Sequence, residues 1–321
     1  MSFSWDDVNA LRHYGKFIKA GGGIGEVRKA LAWSTWYAVK WWSELKHELG
    51  IDADRNILGK ALFMSLRARG IIDDGGRLVK RVETPPRPVN PYSAEFVELH
   101  DSFDALGAVE VAKGAVDRDK LRILYSSMLA QGWYDVMRET FLDLVEIGRY
   151  LNIVEPHCKE GQLAYAVLRR HQPERYLAYD PDPDDVEATA SLLGASPNVC
   201  AGKVCVLQTS TICDPAAREV ASKFAGAFDA VLLFHTLYWM GDPLAELRCL
   251  KALLRPGGRL LVGQQVVEST PGLLAVVVSF GAKHVFRWRD VEALLDAAGF
   301  EKERRYTRYS PYYIAVWRAA Q

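Results

Sequence analysis

Residues 151–180, LNIVEPHCKEGQLAYAVLRRHQPERYLAYD, constrain this chain more than any other stretch, because they read as strand, tight turn, helix and second strand in one unbroken run. Leu151 to Val154 is a short apolar run, and Gly161 sits where a helix should open. Gln162 to Arg170 keeps Leu163, Ala166, Val167 and Leu168 at helical spacing. Tyr176 to Tyr179 makes the second strand, which ends in Asp180. An acid there, about 20 residues past a turn that opens a helix, is how a Rossmann-like sheet holds a ribose diol. The chain is thereby committed to an α/β fold with its ligands at the carboxyl ends of the strands.

Downstream segments extend the unit. PDPDDVEATASLLG, after Asp180, places Pro181 and Pro183 in a strand-to-helix turn and acids at a helix amino terminus. Lys203 to Leu207 is a third strand. Next, AFDAVLLFHTLYWMGDPLAELRCLKALLRPGGRLLVGQQVVES supplies a buried strand (Ala230 to Phe234), a polar-aromatic loop and an amphipathic helix from about Pro243. An Arg255-Pro256-Gly257-Gly258 turn then leads into a second buried strand, Arg259 to Val262. FRWRDVEALLDAAGF is a late helix, and RYSPYYIAVWRA reads as the final strand.

FDAV followed by LLRPGGRLLV closely resembles the fourth strand, next helix, glycine turn and fifth strand of class I S-adenosylmethionine (SAM) dependent methyltransferases. The 151–180 run resembles motif I of that family, usually E/D-x-G-x-G-x-G, and the acidic position after it. Glu155 takes the acidic place and Gly161 the last glycine, while His157 and Lys159 stand where the first two glycines belong. Glycines there let the backbone turn sharply and approach a ligand with no Cβ in the way. Side chains at 157 and 159 therefore either reshape the cofactor pocket or fill it. The resemblance implies a Rossmann-like, seven-stranded, mostly parallel methyltransferase domain over 151–321 with SAM as cofactor. Glu155, His157 and Gly161 would lie at its methionine end, Asp180 and Pro181 at the ribose, and Cys213 and Asp214 at the adenine.

Residues 1–90 read as mainly helical: Trp5 to Ala20, a Gly21-Gly22-Gly23 break, then Gly25 to about Leu49. Trp33, Trp36, Tyr37, Trp41 and Trp42 on the second helix mark a buried helix interface rather than a ligand cage. Leu58, Leu62, Leu66 and Ile71 give a further helical face, Asp74-Gly75-Gly76 a turn and Arg77 to Val82 a short strand. Helix, turn and strand resemble the second half of a winged helix, which opens the small-molecule O-methyltransferases and forms their dimer interface. A homodimer through this domain is the implied assembly. The region has a surplus of about five positive charges, which raises nucleic acid as a partner. Lys60, Arg67 and Arg69 nevertheless sit on a helix of nearly continuous apolar content, which favours dimerisation. Thr84-Pro85-Pro86-Arg87-Pro88 is a stiff linker, and 91–150 is a helical connector. By the same resemblance Met128, Trp133 and Tyr134 lie against cofactor or substrate; packing between helices is the alternative for each.

Across 321 residues, 40 basic side chains balance 40 acidic ones, so no global field draws the chain to nucleic acid or an acidic membrane. No leader pattern and no apolar run of roughly 20 residues is visible, so the expectation is a cytoplasmic protein without a membrane partner. Cys158, Cys200, Cys205, Cys213 and Cys249 form neither a CxxC pair nor a zinc-spaced cluster. They read as buried free thiols, and no metal is expected.

Methyl transfer asks a protein to hold an electron-poor methyl in line with a nucleophile and often to take that nucleophile's proton. The loop after the fourth strand, Phe234 to Asp242, is where such groups belong. The small-molecule O-methyltransferases carry a histidine base in an L-H-D-W-like run; Leu237-Tyr238-Trp239-Met240 occupies that stretch here, with Tyr238 at the histidine's place. His235 stands at the strand's end, and an imidazole with a pKa of about 6.5 suits deprotonation of a phenol or enol. It reads as the proton acceptor or as a hydrogen-bonded histidine at a strand terminus. Tyr238 is the second candidate, and Trp239 a wall of the substrate site. The expected activity is SAM-dependent methyl transfer to a small, partly apolar acceptor, with oxygen the favoured atom. A methyltransferase-like binding or scaffold protein and a nucleic-acid methyltransferase are the alternatives. The lack of an N/D-P-P-Y run after the fourth strand argues against amino methylation.

Overall fold

The computed structural model describes residues 5–225, 227–306 and 312–320, with side chains from Leu11 onward except at 51. The first part of the chain is helical: α1 (Trp5–Ala20), α2 (Ile24–Leu49), α3 (Ile57–Ala68), α4 (Pro91–Leu106), α5 (Ala108–Ala112), α6 (Arg118–Ala130) and α7 (Gly132–Leu144). Strands and helices then alternate: β1 (Asn152–Pro156), α8 (Gln162–Arg170), β2 (Arg175–Asp180), α9 (Pro183–Leu193), β3 (Val204–Gln208), α10 (Pro215–Ala225), β4 (Phe228–Phe234), α11 (Pro243–Leu253) and β5 (Leu254–Gln264). The chain finishes with α12 (Pro271–Val278), α13 (Trp288–Ala297), β6 (Phe300–Arg305) and β7 (Tyr313–Ala319). It divides into two compact units, one centred on Phe141–Gln264 with Arg289–Gln321, the other on Ala10–Thr140 with Gln265–Trp288.

The first unit is a seven-stranded sheet in the order β3-β2-β1-β4-β5-β7-β6. β1 through β5 are parallel, and β7 inserts antiparallel between β5 and β6. Central strands of a doubly covered sheet lose alternation and become apolar throughout. β4 follows that rule, with every residue buried. Asp229 is the polar exception, and it ties β4 to the start of β1. Its Oδ2 accepts from the backbone N–H groups of Leu151 (2.7 Å) and Asn152 (2.9 Å), and its Oδ1 pairs with Arg255 at 2.8 Å.

In the helical unit α2 is the spine, with Ala38, Trp41 and Leu45 fully buried. α12 belongs to this unit although it follows β5 in sequence, and its approach requires Gly272: a Cβ there would lie 2.4 Å from the Ser34 carbonyl oxygen. A chain of neutral hydrogen bonds fixes it. Leu273 N–H donates to Ser34 Oγ (3.1 Å), Ser34 donates to His100 Nε2 (2.8 Å), and His100 Nδ1 donates to the Phe96 carbonyl (2.7 Å). Burial lowers the His100 pKa to about 4, which keeps that tautomer in place.

Several expectations are corrected. The strand expected at Arg77–Val82 shrinks to one isolated antiparallel bridge, Ile72 with Leu78. Asp73 folds back to accept from the N–H groups of Gly75 and Arg77, and the prolines that follow offer no donors for a ladder. β5 begins at Leu254, before the glycine turn, because Leu254 already pairs with Phe228. The ladder then shifts register and resumes at Ala230 with Arg259, across Gly257 at φ +75°. β6 was not anticipated, and of the expected final strand residues 308–311 lie outside the described residues. Four of the five cysteines are paired: Cys200 with Cys205 and Cys213 with Cys249, at Cα separations of 4.5 and 5.3 Å, which leaves Cys158 as the buried free thiol. The free-thiol expectation rested on compartment alone, whereas pairing follows from Cα proximity in the fold. No helix among the described residues is long and apolar enough to cross a membrane.

Asp229→Ala leaves two backbone N–H groups at the head of β1 without their acceptor. The expected loss is about 2–3 kcal/mol of unfolding free energy, read as a lowered urea midpoint.

Candidate functional site

The turn between β1 and α8 keeps the backbone path of a glycine turn with side chains attached. His157, Lys159 and Gly161 all adopt left-handed φ values, 50°, 53° and 75°. Gly161 is required there: a Cβ would meet Thr189 Cγ2 at 2.9 Å and Thr189 Cα at 3.0 Å, so only glycine lets α9 lie so near the turn. Thr189 also donates its hydroxyl to the Lys159 carbonyl at 2.5 Å. Cys158 N–H donates to the Tyr179 carbonyl at 3.1 Å, and Gly161 N–H to the Cys158 carbonyl at 3.0 Å. The turn is therefore held from β2, from α9 and from within.

Asp180 ends β2 with no exposed surface. Its Oδ1 accepts from Asp182 N–H at 2.9 Å; its Oδ2 accepts from Lys159 N–H at 3.2 Å and faces Lys159 Nζ at 3.4 Å. Lys159 Nζ is also 3.4 Å from Asp185 Oδ2 on α9 and 5.2 Å from the centre of the Trp239 ring. Burial alone would pull the lysine's pKa down, but Asp180 and Asp185 outweigh it and the pKa is raised. Asp185 moves to about 6, chiefly by burial, with Lys159 pulling against that and Asp180 adding to it.

The loop after β4 brings the other candidates to this unit. His235 adopts a left-handed φ of 58°, and its backbone N–H donates to the Gly263 carbonyl at 2.6 Å, continuing the β4–β5 ladder. Its buried imidazole stands 4.3 Å from the Phe234 ring and 5.3 Å from Tyr312, centre to centre. Burial lowers its pKa to about 3, so the ring is neutral at physiological pH. Tyr238 and Trp239, in the short 3-10 turn Leu237–Trp239, stack edge to face at 4.7 Å, and Leu237 N–H donates to Gln264 Oε1 at 3.2 Å. Through Trp239 and Lys159 the β4 loop meets the β1 turn.

Glu155, on β1, accepts from Tyr176 Oη at 2.5 Å in the interior, and His157 lies 6.3 Å from the Tyr179 ring. Tyr179 donates to Glu246 of α11, which also accepts from Thr211 Oγ1 and, at 3.1 Å, from Ile212 N–H. That carboxylate and the Cys213–Cys249 bond anchor the loop after β3 to α11. Asp214 is exposed and caps α10, its Oδ1 accepting from Ala216 and Ala217 N–H at 2.9 and 3.1 Å; Pro181 is exposed as well. Met128, Trp133 and Tyr134 belong to the helical unit. Trp133 meets Phe96 edge to face at 4.9 Å and donates Nε1 to Gln131 Oε1 at 2.5 Å, and Arg138 lies over Tyr134 at 5.5 Å.

Sequence reasoning missed Asp185 and Thr189, and treated Lys159 only as a departure from a glycine. The signal was available in part: positions 185 and 189 are one helical turn apart, so α9 presents both on one face.

An adenosyl ligand fits this donor set at one decisive point, the buried acid at the end of β2 beside a left-handed turn. The ammonium of Lys159 faces that acid's Oδ2 at 3.4 Å, on the side a ribose hydroxyl would need.

The order β3-β2-β1-β4-β5 with an antiparallel β7 between β5 and β6, and a turn and acid so placed, define a class I methyltransferase fold. The family described as methyltransferase domain matches residues 136–304, over half of the chain, and the chain belongs to that family. Among curated proteins, malonyl-[acyl-carrier protein] O-methyltransferase of Hahella chejuensis is 25% identical over 197 residues, covering 59% of this chain and 65% of that protein. Ubiquinone biosynthesis O-methyltransferase of Xanthomonas axonopodis pv. citri is 36% identical over 70 residues, 22% of this chain and 28% of that protein. The chain thus spans less than two thirds of these relatives. Among solved structures, the citrinin polyketide synthase CMeT domain aligns with TM-score 0.64 at 15% identity, over 100% of this chain and 99% of that one. An O-methyltransferase family 2 protein of Planctomyces limnophilus aligns with TM-score 0.53 at 16% identity, over 100% and 97%. At such identities the likeness is one of fold.

His235 makes stability depend on pH with a defined sign. Its folded pKa of about 3 lies below the unfolded value, so its contribution is complete above pH ~6.5 and drains away as pH falls toward 3, at up to about 1.4 kcal/mol per unit. In His235→Asn, which suits a left-handed residue, the urea midpoint should fall less steeply between pH 6.5 and 4.5 than in the parent.

Proposed function

We propose that this protein transfers a methyl group from SAM to a small, partly apolar acceptor, with oxygen as the receiving atom. The observation that carries the proposal is Asp180, a fully buried carboxylate at the end of β2, flanked by the left-handed β1–α8 turn. The two curated relatives named above are O-methyltransferases by name, one of them a malonyl-[acyl-carrier protein] O-methyltransferase, which supports oxygen as the acceptor.

SAM supplies a methyl group activated by its sulfonium. Asp180 accepts the ribose hydroxyls, Glu155 and the turn to Gly161 shape the methionine end, and the anchored loop through Cys213 and Asp214 borders the adenine. His235 is the proton acceptor. Burial keeps its lone pair free of a proton at neutral pH, and negative charge developing on an acceptor beside it would raise its basicity at that moment. Tyr238 and Trp239 wall the acceptor, and dimerisation through residues 1–90 belongs to the same reading. A protein that keeps the fold but binds no SAM is the second reading, and the Lys159 contact on Asp180 favours it.

Calorimetric titration with SAM and with S-adenosylhomocysteine (SAH) separates the two. Dissociation constants on the order of micromolar are expected, weakened roughly tenfold to a hundredfold in Asp180→Asn as a charge-assisted hydrogen-bond acceptor is lost. Absence of binding to either ligand by the folded parent protein would sink the assignment.

A further inference from the structure

Asp180 has to accept two hydroxyl donors if it is to hold a ribose, yet none of its surface is exposed. Two of its partners, Lys159 N–H and Asp182 N–H, are backbone groups. These cannot leave, because the 159 carbonyl is pinned by Thr189 Oγ1 and Asp182 caps α9. The third partner is the Lys159 ammonium, at the end of a flexible side chain. A second carboxylate, Asp185, waits at the same 3.4 Å from Nζ, and the Trp239 ring offers the cation a face at 5.2 Å. Glycine at position 159 would leave the acid open.

Resting on the SAM reading above, we propose that Lys159 is a latch on the nucleoside site. It covers the diol-accepting side of Asp180 when no ligand is present and passes to Asp185 when a ribose diol arrives. The ligand class is a nucleoside with a free cis-diol. The latch makes affinity depend on a competition between two carboxylates for one cation, so Asp185 sets cofactor affinity without touching cofactor.

The energetic logic is that of an equilibrium between two states, one of them competent to bind: apparent affinity is reduced by the fraction of protein that is latched. Removing the cation should raise affinity, although a positive side chain is lost from a site that already carries Asp180 and Asp185. Removing Asp185 should lower affinity, because the lysine then has Asp180 alone. The second effect should vanish when the lysine is absent, a coupling that purely structural roles for the two residues would not produce.

The experiment is titration of SAH, and separately of SAM, into the full chain and into Lys159→Met, Lys159→Gly, Asp185→Asn and the Lys159→Met/Asp185→Asn double variant, each checked for a folded thermal transition. Lys159→Met keeps an unbranched side chain without the cation, and Lys159→Gly relieves the left-handed backbone, so the two guard against misfolding of either. Expected are about tenfold tighter SAH binding in both Lys159 variants and about fivefold weaker binding in Asp185→Asn, with no effect of Asp185→Asn in the Lys159→Met background. If the parent binds and the Lys159 variants bind no tighter, or if Asp185→Asn acts equally in both backgrounds, the latch is overturned and the SAM reading stands. If the folded parent binds neither ligand, the SAM reading fails and the latch with it.

Discussion

A carboxylate shut away from water needs its neighbours to replace the hydrogen bonds that water supplied. Asp180 takes that replacement from the β1–α8 turn and from the start of α9. The same bonds give the turn its position: Lys159 is held to β2 through Asp180, and Asp182, which caps α9, is held to it as well. The carboxyl ends of β1 and β2 and the amino ends of α8 and α9 thus have their geometry set around one acid. The left-handed conformations of His157 and Lys159, each costing on the order of 1–2 kcal/mol in an L-residue, persist because that network over-determines them.

The methyltransferase half was legible because its signals are local. A strand, a glycine at a helix entrance and a second strand ending in an acid lie within thirty consecutive residues, and FDAV with LRPGG marks the next pair of strands. What escaped was long-range. Nothing in the periodicity of PGLLAVVV says that this segment leaves the sheet and packs on Ser34 and His100 of the helical unit. Nothing in the cysteine spacing pairs 213 with 249. Position 159 was visible as a non-glycine, but its meaning depends on Asp185 and Trp239, which reach it from α9 and from the loop after β4. A sequence shows that a glycine is missing; only the fold shows what the new side chain touches.

His235 and Lys159 illustrate opposite electrostatic outcomes of burial. Imidazole, with aromatic rings against it, gives up its proton and remains neutral. Ammonium, with carboxylates against it, keeps its charge despite similar desolvation. Burial alone decides the first case; in the second the neighbouring carboxylates outweigh it. One wall of this unit is therefore kept uncharged and the other ionic, an asymmetry that suits a ligand with a polar sugar at one end and a reacting group at the other.

The bond between Cys213 and Cys249 has a sequence separation of 36, and β4 lies wholly inside the ring it closes. A ring of that size removes about 4 kcal/mol of chain entropy from the unfolded ensemble on the chain-entropy account. The strand it encloses is the one that must slot between β1 and β5. An oxidised chain therefore begins its search for the sheet with its central strand already confined to a short loop, whereas a reduced chain must find the same neighbours from a freely extended segment.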